Sequence, residues 1–233
     1  MATITGTTII NKAATILFDV NNVKWSRLEL LGWLNDAQRA VVAMRPEAAS
    51  TRATMQMVAG PRQNVPTAGW MLLDVICNMG TNGLVRGTAV KRVDGRIFDE
   101  TNPSWQDATP VTAVTTAMYN VRDQTAFDVY PPSDGTGYLE VLYSLDPVDL
   151  AVEGSVIGVM DMYSPAMLDY MMFRAKSKSA PYNGPDAAQQ AQSYFQSFVM
   201  FVTGDATVIG RLASGMGALL NAGPQLQGSV GDT

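Results

Sequence analysis

Trp25-Ser-Arg-Leu-Glu-Leu-Leu-Gly-Trp-Leu-Asn-Asp-Ala-Gln-Arg-Ala-Val-Val-Ala-Met-Arg-Pro46 carries both a start and a stop signal for a helix. Ser26 is a good N-cap, and Glu29 stands three positions on, the spacing of a capping box in which two orphan amides gain partners. Trp25 before the cap and Leu30 one turn in have the spacing of a hydrophobic staple. Leu30, Trp33, Leu34, Ala37, Val41 and Met44 recur at helical spacing and define a buried face. Glu29, Asn35, Asp36, Gln38 and Arg39 fall on the opposite, polar face. Pro46 ends the helix, because it has no N–H to donate and its ring clashes with the preceding turn.

Upstream, Thr8 to Phe18 predicts a first helix with Ile9, Ile10, Ala13, Ile16 and Leu17 on its apolar side. Asp19 to Val23 is a short loop, and two helices so joined should pack antiparallel. Downstream the texture changes. Thr51 to Val58 alternates polar and apolar, which is strand periodicity. Gly60-Pro61 and Pro66 to Gly69 are turns. Trp70 to Cys77 reads as a second strand and Gly87 to Asp94 as a third, with a turn at Gly80-Thr-Asn-Gly83. Asp99 to Asp107 reads as an irregular loop pinned to the core by Trp105, whose alternative role is an interface residue. Thr109 to Val121 mixes β-branched residues with alanines and is left open. Thr125 to Tyr130 reads as a strand closed by Pro131-Pro132, Ser133 to Gly137 as a hairpin turn, and Tyr138 to Tyr143 as the return strand.

Helical texture resumes after Asp161. Ser164-Pro165 pairs an N-cap with proline at N1. Leu168, Met171, Met172 and Ala175 form the buried face. Ala180 to Gly184 breaks the pattern, and Pro185 starts another helix with Ala188, Ala191, Tyr194, Phe195, Phe198 and Val202 inward. Gly204 and Asp205 end it. A last helix, Ala206 to Asn221, carries three glycines and is weak alone. The tail from Gly223 has the composition of a disordered segment. The fold expected is therefore α+β: N- and C-terminal helices form an antiparallel helical bundle with an inserted antiparallel β module. The divisions expected are residues 1–47, the N-terminal bundle helices; 48–160, the β-rich module; 161–222, the C-terminal bundle helices; and 223–233, an extended tail.

Composition narrows function. Charged residues are 16% of 233, below the roughly 25% of an average soluble domain. No run approaches the ~20 apolar residues of a membrane span, and Met1 to Thr8 lacks the basic and apolar blocks of a signal peptide. Sparse charge without a span points to surface covered by other subunits, with a well-filled monomer as the alternative. The net charge of −5 offers no basic footprint for gripping phosphates. DNA could still slide past an acidic wall that repels it. With one cysteine and no histidine, the chain has no internal disulfide and lacks the usual ligands of structural zinc. Cys77 reads as a buried small hydrophobe.

Histidine-dependent acid–base and nucleophilic arrangements are excluded. Gly80 to Gly87 lacks the Gly-Lys-[Ser/Thr] ending of a phosphate loop. Asp146, Asp149 and Glu153 do not have calcium-loop spacing. No metal, cofactor or catalytic residue is expected. Fourteen methionines stand out. Met160 and Met162 precede a helix cap and are the better interface candidates among them, since methionine adapts to irregular partners. Asp36 and Arg39 on the polar helix face, and Leu219, Leu220, Gln225 and Leu226 near the C-terminus, complete the candidate interface set. Trp25, Ser26, Glu29, Leu30, Trp33 and Trp105 are its structural counterpart.

The same residues carry a resemblance. Trp25, Glu29, Leu30, Trp33, Asn35, Asp36, Ala37, Gln38, Arg39 and Pro46 resemble the opening motif of the head-to-tail adaptor (connector) proteins of tailed bacteriophages, particularly the short-tailed type. Val58-Ala-Gly60 with Gln63 and Pro66, Asp99 to Pro103 with Trp105, Phe127 to Pro132, Val141, Tyr143, Pro147 and the helix from Ser164 to Lys176 are similar in the same order. The likeness spans about residues 8 to 202. It implies a structural virion protein without catalysis, made in the host cytoplasm and located in the neck between capsid portal and tail. It implies a twelvefold ring of identical copies, bound to the portal protein and to tail nozzle or fibre proteins, extending a channel through which genomic DNA passes without specific binding. No membrane is involved. The C-terminal segment is expected to order against the portal. Two other classes stay open: a monomeric module binding a sugar or peptide through Tyr130, Tyr138 and Tyr143, and an enzyme using Asp161 and Asp169.

Overall fold

Ser26 starts the long helix: its Oγ accepts from the Glu29 amide at 3.2 Å. A computed structural model describes residues 2–120, 123–183 and 185–204. Its elements are α1 (Gly6–Ile16), α2 (Arg27–Met44), β1 (Ser50–Gln56), β2 (Gly60–Asn64), β3 (Gly69–Asn78), β4 (Lys91–Asp94), α3 (Gly95–Thr101), β5 (Thr116–Asn120), β6 (Asp123–Ser133), β7 (Tyr138–Leu145), α4 (Ser164–Asn183) and α5 (Pro185–Thr203).

The α+β class stands, but the arrangement expected from the sequence is corrected. Helices are not confined to the chain ends flanking one inserted module. Five helices and seven strands occur among the described residues, and α3 lies inside the β-rich stretch. The strands occupy the middle of the chain as two sheets, ordered β1-β7-β3 and β2-β6-β5-β4. They are not all antiparallel, because β4 and β5 run parallel. The helix α3 was hidden in the sequence because its start is set by one side chain, Asp94, which accepts from the Arg96 amide at 2.9 Å.

The two sheets face each other across a core of Met57, Leu72, Val75, Val114, Ala117, Phe127, Val129, Leu139, Val141 and Tyr143. This geometry overturns the expected β6–β7 hairpin. β6 has both edges taken, by β2 and β5, and β7 is flanked by β1 and β3. The Ser133–Gly137 link therefore crosses from one sheet to the other. Alternating sequence says that one face is buried, not which strand lies alongside. Nor does β6 stop at Pro131. The prolines cannot donate, but carbonyls still accept: Val111 N–H bonds Pro132 O at 2.9 Å and Thr115 N–H bonds Tyr130 O at 2.8 Å. A strand β2 also runs through the expected turn at Gly60-Pro61.

The second core joins α1, α2, α4 and α5. It contains Ile9, Ile10, Ala13, Trp25, Leu30, Trp33, Leu34, Val41, Met167, Met171, Met172 and Phe198. The pairs Tyr170–Phe198 and Phe173–Phe195 make α4 and α5 antiparallel neighbours. Glu29 meets Lys178, and Asp36 meets Arg174, so α2 and α4 also run in opposite directions. The helix α1 packs on α2 and α4, and α5 packs chiefly on α4 with a smaller contact to α2. The two cores meet at the 3-10 turn Pro46–Ala49, where Trp70 Nε1 donates to Ser144 Oγ at 3.1 Å and that hydroxyl donates to Pro46 O at 2.7 Å.

Smaller expectations shift as well. The helix α1 starts and ends two residues earlier than expected, leaving Ile16 and Phe18 exposed. Met44 is exposed at the last turn of α2. The helix α4 runs on past Ala180, with Pro181 in its last turn. Ala187, not Ala188, faces inward on α5, and Phe195 is partly exposed. Gly204, at φ 58°, ends α5, and the Arg45 guanidinium caps the carbonyls of Val202 and Thr203. The expected helix Ala206 to Asn221, the tail 223–233 and the candidates Leu219, Leu220, Gln225 and Leu226 lie outside the described residues.

Candidate functional site

The organising feature of the helical layer is a buried pair of amides on α2. Helical spacing put Asn35 and Gln38 on the polar face, yet both are buried, Gln38 being 1% exposed. They meet residues 146–160, the connector from β7 to the turn preceding α4. Asn35 Oδ1 accepts from the Leu150 amide at 3.0 Å, and its Nδ2 donates to Leu150 O at 3.4 Å. Gln38 Oε1 accepts from the Gly158 amide at 2.6 Å, and its Nε2 donates to Asn35 Oδ1 at 3.3 Å. The connector has no strand or helix ladder of its own. Its buried backbone groups therefore need side-chain partners.

An N-terminal strap closes the other side of the connector. Gly6 N–H bonds Ser155 O at 3.0 Å, and Ile157 N–H bonds Ile4 O at 3.0 Å. A Cβ at Gly6 would stand 2.9 Å from Glu153 O, so the close approach requires glycine. Asp161 anchors the strap, accepting from the Thr3 amide at 2.8 Å, the Ile4 amide at 3.0 Å and the Thr3 hydroxyl at 2.6 Å. The Thr3 hydroxyl and these amides hold its carboxyl below the usual aspartate value. Glu153 pairs with Arg27, which also holds that carboxyl down, and the Arg27 Nη2 reaches Asn11 Oδ1 on α1 at 3.1 Å.

Of the candidate interface residues, Asp36 and Arg39 come together. Arg39 pairs with Asp36 at 3.2 Å and with Asp149 of the connector, and Arg174 of α4 lies 3.8 Å from Asp36. Arg39 is exposed and Asp36 half-buried, and both are engaged within the chain. Met160 and Met162 flank Asp161 and are exposed, Met162 at 63%. Trp25 and Trp33 are buried with ring centroids 5.4 Å apart, and the ammonium groups of Lys24 and Lys178 lie 5.1 and 5.3 Å from the Trp25 ring. Leu30 is fully buried. The Glu29 carboxylate takes Lys178. Trp105 is buried, donates to Asp99 Oδ1 at 2.7 Å and packs edge-on against Phe98.

The sequence missed a second set of residues. Phe18, Val20, Val23 and Leu28 are exposed around the α1–α2 corner, Phe18 at 96%. A shallow groove of about 260 Å³ beside them is lined by Arg27, Leu28, Leu31, Val152 and Glu153. Apolar side chains inside the short Asp19–Val23 turn were the available signal, since such turns are ordinarily polar.

Neither rival chemistry gains a site. Tyr143 is buried, Tyr130 packs against Phe98 at 5.2 Å and Tyr138 is half-buried, so these three do not form the exposed aromatic cluster considered above. Asp161 is committed to the strap. Asp169 is half-buried, accepts from the Ser197 hydroxyl at 2.6 Å and has its pKa raised by burial. Among the described residues, no group of three or more His, Cys, Asp or Glu side chains could hold a metal ion. No described helix is long and apolar enough to cross a membrane.

No curated protein matches the chain. The family model described as SU10 adaptor protein matches residues 4–214, from the N-terminal strap through α5 and beyond. The chain therefore belongs to the SU10 adaptor protein family, and is a phage adaptor and a structural component of the virion.

Proposed function

We propose that the chain is a head-to-tail adaptor that forms a closed, twelvefold ring between portal and tail and extends the channel for DNA. The observation that carries this reading is the exterior of the helical layer. Large apolar side chains stand exposed at the α1–α2 corner and on α5, and α5 carries a single charged residue, Asp186. Exposed apolar patches mark interaction surfaces, and charge is depleted at the centres of subunit interfaces. The acidic balance of the chain suits a channel wall past which DNA must slide without adhering.

Residues 1–47 and 161–222 are the ring-forming part in this reading, and 48–160 meets tail nozzle or fibre proteins. Met160 and Met162, exposed where the connector enters α4, with Asp36 and Arg39, are contacts to neighbouring proteins. The segment from 205, through 223–233, engages the portal with Leu219, Leu220, Gln225 and Leu226.

Size measurement of the full-length chain, alone and with portal protein, tests the ring. A closed multimer is expected in at least one condition, and monomers in both remove the reading. Deletion of 205–233 should abolish portal binding. Undiminished binding would reassign that segment.

A further inference from the structure

We infer that β1 is a docking edge for the chain's own C-terminal segment, with residues 225–230 added beside it as a further strand of the sheet. Four observations point to this pairing.

The first is that the edge is open. β1 pairs only with β7, in an unbroken register from Ser50 opposite Ser144 to Gln56 opposite Tyr138. Met57 N–H bonds Gly137 O, whereas Tyr138 bonds Met79 and Gly80 on its other side. Bonded residues alternate along an antiparallel ladder. Thr51, Ala53 and Met55 therefore bond β7, and Arg52, Thr54 and Gln56 turn their N–H and C=O groups outward. No hydrogen bond among the described residues uses those outward groups. Such a row is a template for another strand. The three other sheet edges are blunted. β2 carries Pro61 and a register shift between Gly60 and Arg62. β3 shifts register three times and is covered where Asn78 N–H bonds Thr88 O and Val90 N–H bonds Ile76 O. β4 has four residues and leads straight into α3. β1 has seven residues with no proline, glycine or bulge.

The second is cover. Ala53 and Met55 pack against the sandwich core yet stay half-buried, while Arg52, Thr54 and Gln56 on the other side are exposed. A strand apolar on one side and polar on the other would complete the burial.

The third is sequence. Gln225-Leu-Gln-Gly-Ser-Val230 alternates in that way, with Leu226, Gly228 and Val230 on one side and Gln225, Gln227 and Ser229 on the other. Pro224 precedes the stretch and none interrupts it, so each of its amides can donate. Val208, Leu212, Met216 and Leu219 recur instead at helical spacing. From Leu212 to Thr233 the one charged residue is Asp232; on β1 it is Arg52, which makes no ion pair among the described residues. Unlike charges favour this segment over a second copy of β1, which would bring two arginines to one edge.

The fourth is placement. At the end of α5 the Arg45 guanidinium holds the carbonyls of Val202 and Thr203, and only the turn Pro46–Ala49 separates Arg45 from β1. The chain thus leaves the described structure beside the start of β1. Residues 205–224 can extend over about 66 Å, against about 23 Å for β1. A tether of that length keeps the segment at high effective concentration at the edge.

This is the place of the segment in a chain free of portal. Engagement of the portal by Gln225 and Leu226, as proposed above, requires them to leave β1, and docking on β1 does not depend on that engagement.

Amide exchange followed by NMR, on the wild-type chain and on the full-length double variant Leu226→Asp with Val230→Asp, tests the docking. The variant puts two charges on the side that would meet the core. The amides of Arg52, Thr54 and Gln56 should exchange roughly tenfold or more slowly in the wild type than in the variant. Those of Thr51, Ala53 and Met55, which bond β7, should exchange alike in both. Fast exchange at the three outward amides of the wild type overturns the docking, because the edge is then bare. Slow exchange in both proteins overturns it too, since something other than this segment then covers the edge. Equal quickening of both sets in the variant would mean a loosened sandwich rather than an uncovered edge, and also overturns it. Protection that disappears on dilution of the wild type would assign the strand to another copy and overturn docking within one chain.

Discussion

Helix α2 and the connector 146–160 lie against each other and satisfy their backbones in opposite ways. The helix bonds within itself, from a cap at Ser26 to a stop at Pro46. The connector borrows its partners from Asn35, Gln38 and the N-terminal strap. One region is specified by residues a few positions apart. The other is specified by residues more than a hundred positions away, 115 and 120 for the two amides. The lesson is that an irregular segment can be as fully bonded as a helix, provided that distant side chains replace the missing ladder. The sandwich repeats the device: Asn78 accepts from the Val114 amide and donates to Val114 O, and Gln63 accepts from the Val58 amide and donates to Val58 O.

The sharpest way to separate the two regions is to damage each in turn. Trp33→Ala should cost about 3–5 kcal/mol, because it opens a large cavity in the core that both regions share. Denaturant unfolding measures this, and a loss near zero would mean that Trp33 does not pack there. Asn35→Ala should cost about 1–3 kcal/mol, by leaving the Leu150 amide and carbonyl buried without partners. Hydrogen exchange should then quicken at Leu150 while the α2 amides keep their protection. Uniform quickening along α2 would erase the distinction between the regions. Ser26→Ala should cost about 1 kcal/mol and fray only the first turn of α2.

The smallest effect is the pH response of the strap. The Asp161 carboxyl titrates below its ordinary value of 3.8, since the Thr3 hydroxyl and the Thr3 and Ile4 amides favour the charged form. The stabilisation it gives is complete above 3.8 and is lost as pH falls through the lower folded value. Protection of the Ile4 amide, taken relative to the intrinsic exchange rate at each pH, should therefore fall on acidification in the wild type. In Asp161→Asn it should already be low at neutral pH, with the acid-induced step from this carboxyl absent.

Legibility in the sequence followed the same division. The helix α2 and strands β1, β3 and β7 announced themselves through caps and periodicity, signals that act within a few residues. The amides of Asn35 and Gln38 looked like solvent-facing polarity, because helical spacing cannot show that a connector from beyond residue 145 covers that face. Strand partnership was illegible for a related reason. The β6 and β7 sequences alternate as hairpin arms would, yet β7 pairs with the distant β1 and β3, and β6 pairs with the distant β2 and with its predecessor β5. The exposed corner at Phe18, Val20 and Val23 was legible in principle, as apolar residues in a short turn. Composition pointed to a covered exterior without saying where the cover sits.

Imaging of intact particles of the phage that encodes this chain tests the central claim most directly. The account predicts a closed ring of identical copies in the neck, helical layers side by side, with the axial channel open to DNA. Particles whose neck lacks the chain, or holds it as isolated copies without lateral contact, would contradict it.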